Sequence, residues 1–339
     1  MSFKIDIIKA EEIYDSRGNA TLRVSVCVGG VCGLFDVPSG ASTGTHEALE
    51  LRDVDGHVSH SLQNIDLIIK PALLGKDPAN QKEIDTLLIQ LDGTPSKSNL
   101  GANTILGVSV ACAKLAASLY GLPTYQYLRT LSDMKDSRVS PLLFMNLLNG
   151  GKHAKNGLAF QEYHVVPNTS DAKESVRLAK EIQKTLEEIC KRELDVNQVM
   201  SGDEGGLAPV VKDVRQPLVW LREAVMSVGS STPVHFALDV AASSFYQEGT
   251  YHVDGKILTP SELMSIYEDL IKEFDIISIE DPFHEEDFNH FHELKVKFSD
   301  LCVVGDDLTV TNLNRLKLAV DHDSIGGVII KLNQIGTLT

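Results

Sequence analysis

What the sequence lacks removes several classes of protein. Its five cysteines form no Cys-x-x-Cys pair and no zinc-like spacing with histidine, and its start, Met-Ser-Phe-Lys-Ile-Asp, contains no apolar segment of a signal peptide. The cysteines are residues 27, 32, 112, 190 and 302. An odd number of cysteines in such a chain predicts reduced thiols in a cytoplasmic protein, with a core role for each.

The chain also lacks an excess of positive charge. Its 47 acidic and 31 basic residues give a formal net charge of −16, which argues against nucleic acid or an anionic membrane surface as the main partner. A small anionic substrate is not excluded, because bound divalent cations can reverse the local charge. No apolar stretch approaches the length of a membrane span, so we expect a protein without one.

The 339 residues leave room for one large domain and one smaller one, and 43% hydrophobic with 23% charged residues is an ordinary globular composition. We predict a small α+β domain at residues 1–138 and a second domain at residues 139–339, joined by the polar segment 132–138. Within the first, β-rich residues 22–28 and 31–37 flank Gly29-Gly30, which is a hairpin signal. Residues 45–128 are predicted to be mostly helical, with the clearest helix from about 103 to 121.

The second domain alternates strand and helix patterns. Two successive strands are followed by a long helix capped by Asp171, and a later helix begins at Thr259-Pro260 with Glu262 completing a capping box. Strands are predicted near residues 144, 163, 237, 278, 303 and 329. A closed (β/α) barrel of this class has eight strands, so we expect an α/β barrel that lacks about its last two βα units.

The last four apolar runs end on residues that can bind a metal ion or move a proton. These residues are Asp239, Glu280, Asp306 and Lys331, with spacings of 41, 26 and 25 residues. If the runs are successive parallel strands, their carboxyl ends open on one face, where such barrels carry out their chemistry. Each acid alone is more often a helix cap or a solvated loop residue, but three consecutive strand ends favour a site.

Oxygen ligands without histidine are typical of a hard cation, so the sequence predicts Mg²⁺ bound by the three carboxylates. Most lysines are solvated surface charges. A partly desolvated lysine beside a divalent cation has a lowered pKa and can act as a general base, which is the role we predict for Lys331.

Weaker signals lie outside these strand ends. Glu204 lies in the glycine-rich segment Ser-Gly-Asp-Glu-Gly-Gly at residues 201–206 and could approach a substrate as a general acid, although the segment alone could be a structural turn. His153 follows the first barrel strand and is equally well explained as structural. The loop at residues 38–44 lacks the GxxxxGK[ST] pattern, so a nucleotide-binding role is rejected.

Seven motifs, in order and across essentially the whole chain, resemble those of the enolase family. They are Tyr-Asp-Ser-Arg-Gly-Asn at 14–19, Pro-Ser-Gly-Ala-Ser-Thr-Gly at 38–44, Ser-Asn-Leu-Gly-Ala-Asn at 98–103, Gly-Asp-Glu-Gly-Gly at 202–206, Ser-Ile-Glu-Asp-Pro-Phe at 278–283, Gly-Asp-Asp-Leu-Thr-Val-Thr-Asn at 305–312 and Lys-Leu-Asn-Gln-Ile-Gly-Thr at 331–337. The resemblance implies a hydro-lyase, phosphopyruvate hydratase, EC 4.2.1.11. It also implies an enolase-type TIM barrel with an irregular ββαα opening.

The resemblance implies reversible dehydration of 2-phosphoglycerate to phosphoenolpyruvate in glycolysis and gluconeogenesis, with two Mg²⁺ per site and a cytoplasmic homodimer. By position, the first Mg²⁺ is held by Asp239, Glu280 and Asp306, and Ser39 in the mobile loop closes over the second. Lys331 matches the base at C2 and Glu204 the acid that protonates the leaving hydroxyl. The residues that match substrate contacts or support Glu204 are His153, Gln161 and Glu162, with Ser39 again at the substrate.

The sequence departs from the family pattern in several places. Lys152 stands where a serine is usual, Ala159 replaces an aspartate and Ala20 a proline. A Ser-His-Arg-Ser-Gly segment and a further lysine, expected after residue 337, do not occur. We therefore expect a C-terminally truncated enolase sequence, a fragment with little or no activity.

The same residues disfavour two alternative functions. A non-catalytic, enolase-like binding or scaffold protein would not need Lys331, Glu204 and all three carboxylates together. Another acid-sugar dehydratase of the same superfamily is disfavoured, because residues 38–44 and 202–206 both resemble enolase proper.

Overall fold

The structure is a computed structural model that describes residues 2–40, 44–132 and 140–339. It divides into two compact units. The first contains the described residues up to 132 together with Val310–Asn312 and Ile330–Thr339, and the second contains residues 140–309 together with Leu313–Ile329. The predicted boundary at residues 138/139, most of the predicted linker and the centre of the loop at 38–44 lie outside the described residues. The boundary therefore stays a prediction.

The first unit is built on an antiparallel three-stranded sheet. Its strands, in the order β1-β2-β3, are β1 (Ile7–Tyr14), β2 (Ala20–Val28) and β3 (Val31–Asp36). Val28 pairs with Val31 across Gly29-Gly30, which confirms the predicted hairpin. Both glycines have positive φ, 55° and 85°, as a two-residue hairpin turn requires.

The prediction that all cysteines are reduced thiols is wrong for one pair. Cys27 and Cys32 are directly opposite each other in the β2–β3 ladder, with Cα atoms 4.1 Å apart, and form a disulfide. The physical reason is the register set by the two-residue turn, because it places these side chains on the same face of neighbouring strands. Cys112, Cys190 and Cys302 are free, and the first two are buried.

Helices cover one side of this sheet. They are α1 (Ser59–Asn64), a π-helical turn (Ile65–Ile69), α2 (Lys70–Leu73), α3 (Gln81–Asp92), α4 (Ala102–Leu119) and α5 (Thr124–Thr130). Helix formation starts at Ser59 rather than near residue 45, so that part of the prediction was wrong. Helix α4 is long and apolar enough to cross a membrane by length and composition, contrary to our expectation, but 83% of it is buried, as in the core helix of a soluble protein.

The second unit contains nine strands in two sheets. They are β4 (Met145–Asn149), β5 (Glu162–Pro167), β6 (Val234–Asp239), β7 (Tyr246–Gln247), β8 (Thr250–Val253), β9 (Lys256–Leu258), β10 (Ile276–Glu280), β11 (Cys302–Gly305) and β12 (Gly327–Val328). The main sheet has the order β12-β11-β10-β6-β5-β4 and is parallel from β6 to β12. Strand β5 is antiparallel to both β4 and β6. The six predicted strands are the six of this sheet, whereas the small β7-β8-β9 sheet was not predicted.

Helices alternate with the parallel strands, as the sequence predicted. They are α6 (Ala172–Leu194), α7 (Gln216–Val228), α8 (Pro260–Glu273), α9 (Phe288–Lys297) and α10 (Leu313–Asp321). Asp171 caps α6 by accepting from the backbone N–H groups of Lys173 and Glu174, and Thr259 with Glu262 forms the predicted capping box of α8. These crossovers bring the carboxyl ends of β6, β10 and β11 to one edge of the sheet.

Candidate active site

Carboxylates gather at the carboxyl ends of three neighbouring parallel strands. Asp239 ends β6, Glu280 ends β10 directly beside it in the ladder, and Asp306 follows the last residue of β11. Potential ligand atoms of Glu280, Asp281 and Asp306 all lie within 4.8 Å of one another. The sequence predicts that Glu280 and Asp306 share a site, but it predicts no role for Asp281.

Asp281 ties the ends of β10 and β11 together. Its carboxylate accepts hydrogen bonds from the backbone N–H groups of Asp306 and Asp307 at 3.1 and 2.7 Å, and its own N–H donates to the carbonyl of Val304. Burial, followed by repulsion from Asp307 and Asp306, raises the pKa of Asp281 well above its usual range. The sequence feature that could have indicated this role is the position of Asp281, directly after the strand-end Glu280 and before Pro282.

Asp239 is only 5% exposed and lies between polar neighbours. The Gln161 side-chain amide donates to its Oδ2 at 2.9 Å, and the N–H of Ala241 donates to its Oδ1 at 3.0 Å. Burial, followed by the negative charge of Glu162, raises the pKa of Asp239 to about 8. We call the set Asp239, Glu280, Asp281 and Asp306 the acidic cluster.

The acidic cluster suits a hard divalent cation. It offers several oxygen ligands from strand ends, and two of its members, Asp239 and Asp281, have raised pKa values because they are buried and lie near other carboxylates. A bound cation would relieve that repulsion and favour the ionised carboxylates. The donor set contains oxygen alone, as Mg²⁺ prefers.

A second group of titratable side chains lies at the start of β5. We call His153, Glu162, His164 and Glu204 the histidine–glutamate cluster. His153 Nδ1 lies 3.2 Å from Glu162 Oε1 and 3.4 Å from Glu204 Oε2, and His164 Nε2 lies 2.8 Å from Glu162 Oε2. The structure thus brings together His153, Glu162 and Glu204, which were predicted as site residues, and adds His164, which was not.

Opposite charges balance one another within the histidine–glutamate cluster. The adjacent carboxylates of Glu162 and then Glu204 raise the pKa of His153 to about 10. Burial alone would raise the pKa of Glu162, but the imidazoles of His153 and His164 outweigh it and lower that pKa. Glu204 is the accessible member, with 41% of its side chain exposed, whereas His153 is 7% exposed.

Ser39 and Lys331 lie in the first unit. The Ser39 hydroxyl donates to Glu50 at 3.0 Å and accepts from Arg52 at 2.9 Å, while Arg17 donates to the Ser39 carbonyl at 2.8 Å. These bonds hold Ser39 between charged side chains at the start of the predicted mobile loop.

Lys331 was predicted to follow directly on a strand over residues 328–330. Strand β12 instead ends at Val328. Lys331 follows it by three residues and is exposed. Its backbone N–H donates to the Thr311 hydroxyl at 2.8 Å, which in turn donates to Gln334. Short apolar runs do not by themselves show where a strand ends, which explains this difference.

The fold and the acidic cluster together define a two-unit α/β-barrel protein with a carboxylate site at its strand ends. The family model for the enolase C-terminal TIM barrel domain matches residues 137–339, and that for the enolase N-terminal domain matches residues 5–128. The enolase of Methanocaldococcus jannaschii is 47% identical over 344 residues, covering 99% of this chain and 80% of the relative. The enolases of Methanococcus aeolicus and Thermococcus gammatolerans are each 44% identical, again over 80% of their length.

The chain therefore belongs to the enolase family, whose members are lyases of the phosphopyruvate hydratase class, EC 4.2.1.11.

Proposed function

We propose that the chain catalyses the Mg²⁺-dependent, reversible dehydration of 2-phosphoglycerate to phosphoenolpyruvate. The observation that carries the proposal is the acidic cluster, which a family of lyases would use to hold a cation beside a carboxylate substrate. The reaction removes a proton from the carbon next to a carboxylate and so builds up negative charge, which needs electrostatic stabilisation.

In this proposal Asp239, Glu280 and Asp306 hold the first Mg²⁺, with Asp281 keeping two of the strand ends in place. Ser39 would supply a ligand for a second Mg²⁺. When bound, the two ions act as Lewis acids that stabilise charge on the substrate carboxylate. The oxygen-only donor set and the raised pKa values of Asp239 and Asp281 support this assignment.

The proton transfers are assigned to two side chains. Lys331 takes the proton from C2, and Glu204 gives a proton to the hydroxyl that leaves C3 as water. His153 and Glu162 orient Glu204 and contact substrate, and Gln161 orients Asp239. A carboxyl on an exposed glycine-rich loop is accessible to substrate, as a general acid must be.

The direct test is to measure formation of phosphoenolpyruvate from 2-phosphoglycerate by the 339-residue chain, first with Mg²⁺ and then after a chelator has removed it. We expect Glu204→Gln and Lys331→Ala to abolish most of the activity, while the exposed substitutions Glu188→Gln and Lys317→Ala serve as matched controls. The enolase of Methanocaldococcus jannaschii, assayed in parallel, gives the reference rate with which the activity of this chain is compared. A folded protein that binds Mg²⁺ but makes no product would favour the binding or scaffold alternative.

The remaining assignments are a cytoplasmic location, a homodimer and a domain boundary at 138/139. The homodimer rests on the family resemblance alone, the location also on the cysteine content, and the boundary on the polar segment 132–138. Sedimentation velocity at several protein concentrations would test the homodimer, and limited proteolysis would test the boundary.

A further inference from the structure

Strand β4 contains a bulge opposite the loop that carries Glu204. Asn146 pairs with His164 and Leu148 pairs with Tyr163, so Leu147 is an extra residue in the ladder. An extra residue shifts the alternation of side chains and re-aims those beyond it. As a result Asn146 and Asn149, which a regular strand would point to opposite faces, both reach the segment 202–206.

The contacts of the two asparagines show this convergence. The Asn146 side-chain amide donates to Glu204 Oε2 at 3.1 Å. A Cβ placed on Gly206 would lie 2.4 Å from Asn149 Oδ1 and 3.2 Å from Asn146 Oδ1, and one placed on Gly202 would lie 2.7 Å from Asn149 Cβ. Glycine at both positions therefore lets the amides approach the loop backbone closely.

Backbone hydrogen bonds fix the same loop to β4. The N–H of Leu207 donates to the carbonyl of Leu147 at 2.9 Å, and the N–H of Asn149 donates back to Leu207 at 2.8 Å. Within the loop, the N–H of Gly202 donates to the carbonyl of Gly206 at 2.8 Å. These hydrogen bonds hold the main chain of the loop, but they do not orient the Glu204 carboxylate.

Asn146 and His153 both act on one oxygen of that carboxylate. Asn146 Nδ2 and His153 Nδ1 lie 3.1 and 3.4 Å from Glu204 Oε2. Asn149 is fully buried, and neither atom of its amide has a hydrogen-bond partner among the described residues. The side chain of Asn149 instead packs directly against Gly202 and Gly206, so it helps to set the path of the loop backbone.

We propose that Asn146 is a positioning residue for Glu204, which it holds through Oε2 so that Oε1 carries the proton to the leaving hydroxyl, while Asn149 sets the path of the loop. This inference rests on the proposed function of Glu204. It assigns Asn146 no contact with substrate and no part in the removal of the C2 proton.

The first test does not depend on activity. The pKa of His153, followed by NMR on protein labelled at the histidine rings, should be about 10 in the wild type. In Asn146→Leu the Glu204 carboxylate is no longer held beside the imidazole, and we expect the pKa of His153 to fall by about 1 unit. Asn168→Leu is the matched control, because Asn168 is exposed and follows β5 at the end of the sheet away from Asp239.

The second test separates the two proton transfers. In deuterated buffer, Lys331 exchanges the C2 hydrogen of 2-phosphoglycerate, and this exchange does not need the acid. We expect Asn146→Leu to lower kcat for dehydration by about 10- to 100-fold, with KM and C2 exchange little changed. In Asn146→Asp, kcat for dehydration should rise as the pH is lowered, because the introduced carboxyl becomes protonated and can again donate a hydrogen bond to Glu204.

Equal losses of exchange and dehydration, or an unchanged pKa of His153, would overturn the assignment of Asn146. Circular dichroism checks the fold, and Asn146→Asp replaces the leucine variant if the latter does not fold. If the wild-type chain shows neither exchange nor dehydration, the proposed function fails, and the NMR measurement still decides whether Asn146 holds Glu204.

Discussion

The acidic cluster and the histidine–glutamate cluster are neighbours in one unit, yet their carboxylates behave in opposite ways. Burial and the negative charge of neighbouring carboxylates raise the pKa values of Asp239 and Asp281, whereas two imidazoles lower the pKa of Glu162. The difference lies in where the positive charge comes from. In one group the imidazole of His153 supplies it, and in the other the proposed Mg²⁺ would supply it.

The largest effect is expected from Asp306→Asn, which removes a charge from the acidic cluster. Loss of a ligand charge should reduce the Mg²⁺-dependent activity by about 10³-fold, because metal stabilisation of the transition state is worth several kcal/mol. The metal-free protein should become more stable, since one repelling carboxylate is gone. Enzyme assays measure the loss of activity, and urea unfolding measures the change in stability, with the exposed Asp300→Asn as control. A metal-free Asp306→Asn variant that is less stable than the wild type would contradict the idea that the carboxylates of the acidic cluster repel one another.

The pH dependence of metal-free stability should separate the clusters. The folded-state pKa of Asp239, about 8, lies above its unfolded value near 4, so its contribution is present below pH 4 and is lost as pH rises towards 8. Between pH 6 and 8 we expect a loss of up to about 3 kcal/mol. His153, with its raised pKa, acts in the same direction above about pH 6.5.

Urea unfolding at several pH values checks this slope. Asp239→Asn should flatten it without affecting the His153 contribution, and saturating Mg²⁺ should flatten it in the wild type. Glu162 acts in the opposite sense, because its lowered pKa stabilises the fold above its unfolded value and that stability is lost as pH falls. If the stability of the metal-free wild type rises between pH 6 and 8, the pKa of Asp239 is not raised in the folded state.

Glu162→Gln should destabilise the protein, opposite in sign to Asp306→Asn. It removes the carboxylate that pairs with both imidazoles, and we expect a loss of about 2 kcal/mol, because His153 can release its proton rather than stay charged and unpaired. Titration by NMR should show a lower pKa for His153. Glu188→Gln is the control, and a stability gain in Glu162→Gln would remove the distinction between the clusters.

The smallest effect is expected from His164→Phe. It removes one of the two imidazoles beside Glu162 but leaves His153 in place, and the introduced ring can pack where the His164 ring meets Phe144 edge-on. We expect a loss of about 1 kcal/mol and a rise in the pKa of Glu162, visible as acid unfolding at higher pH. Unchanged acid unfolding would mean that His153 alone compensates Glu162.

Much of the acidic cluster could be predicted because it depends on local pattern. Apolar runs gave the strand ends at Asp239 and Glu280, and helical crossovers of suitable length implied parallel neighbours. The role of Asp281 could not be predicted in this way, because it depends on hydrogen bonds to the backbone after β11 and on a left-handed residue with φ of 43°.

Other features depend on register, which periodicity does not determine. The bulge that re-aims Asn146 arises only when β4 pairs with β5, so it could not be predicted from the residues of β4 alone. The disulfide was accessible in principle, because counting outward from Gly29-Gly30 places Cys27 opposite Cys32. The run Val-Ile-Ile predicts a strand that ends directly before Lys331, but β12 ends at Val328, and beyond it the N–H of Ile329 still donates to the carbonyl of Gly305 at the end of β11.

The acidic cluster also has a consequence for the order of events during folding. Its members come from the ends of three strands up to 67 positions apart (239 to 306), and their like charges oppose close approach in the metal-free protein. Strand pairing must therefore be driven by the apolar core and the backbone ladder, against this repulsion. The proposed Mg²⁺ would bind after the sheet has formed and would stabilise the folded state rather than the folding transition state. Removal of Mg²⁺ by a chelator should therefore accelerate unfolding and leave the folding rate nearly unchanged.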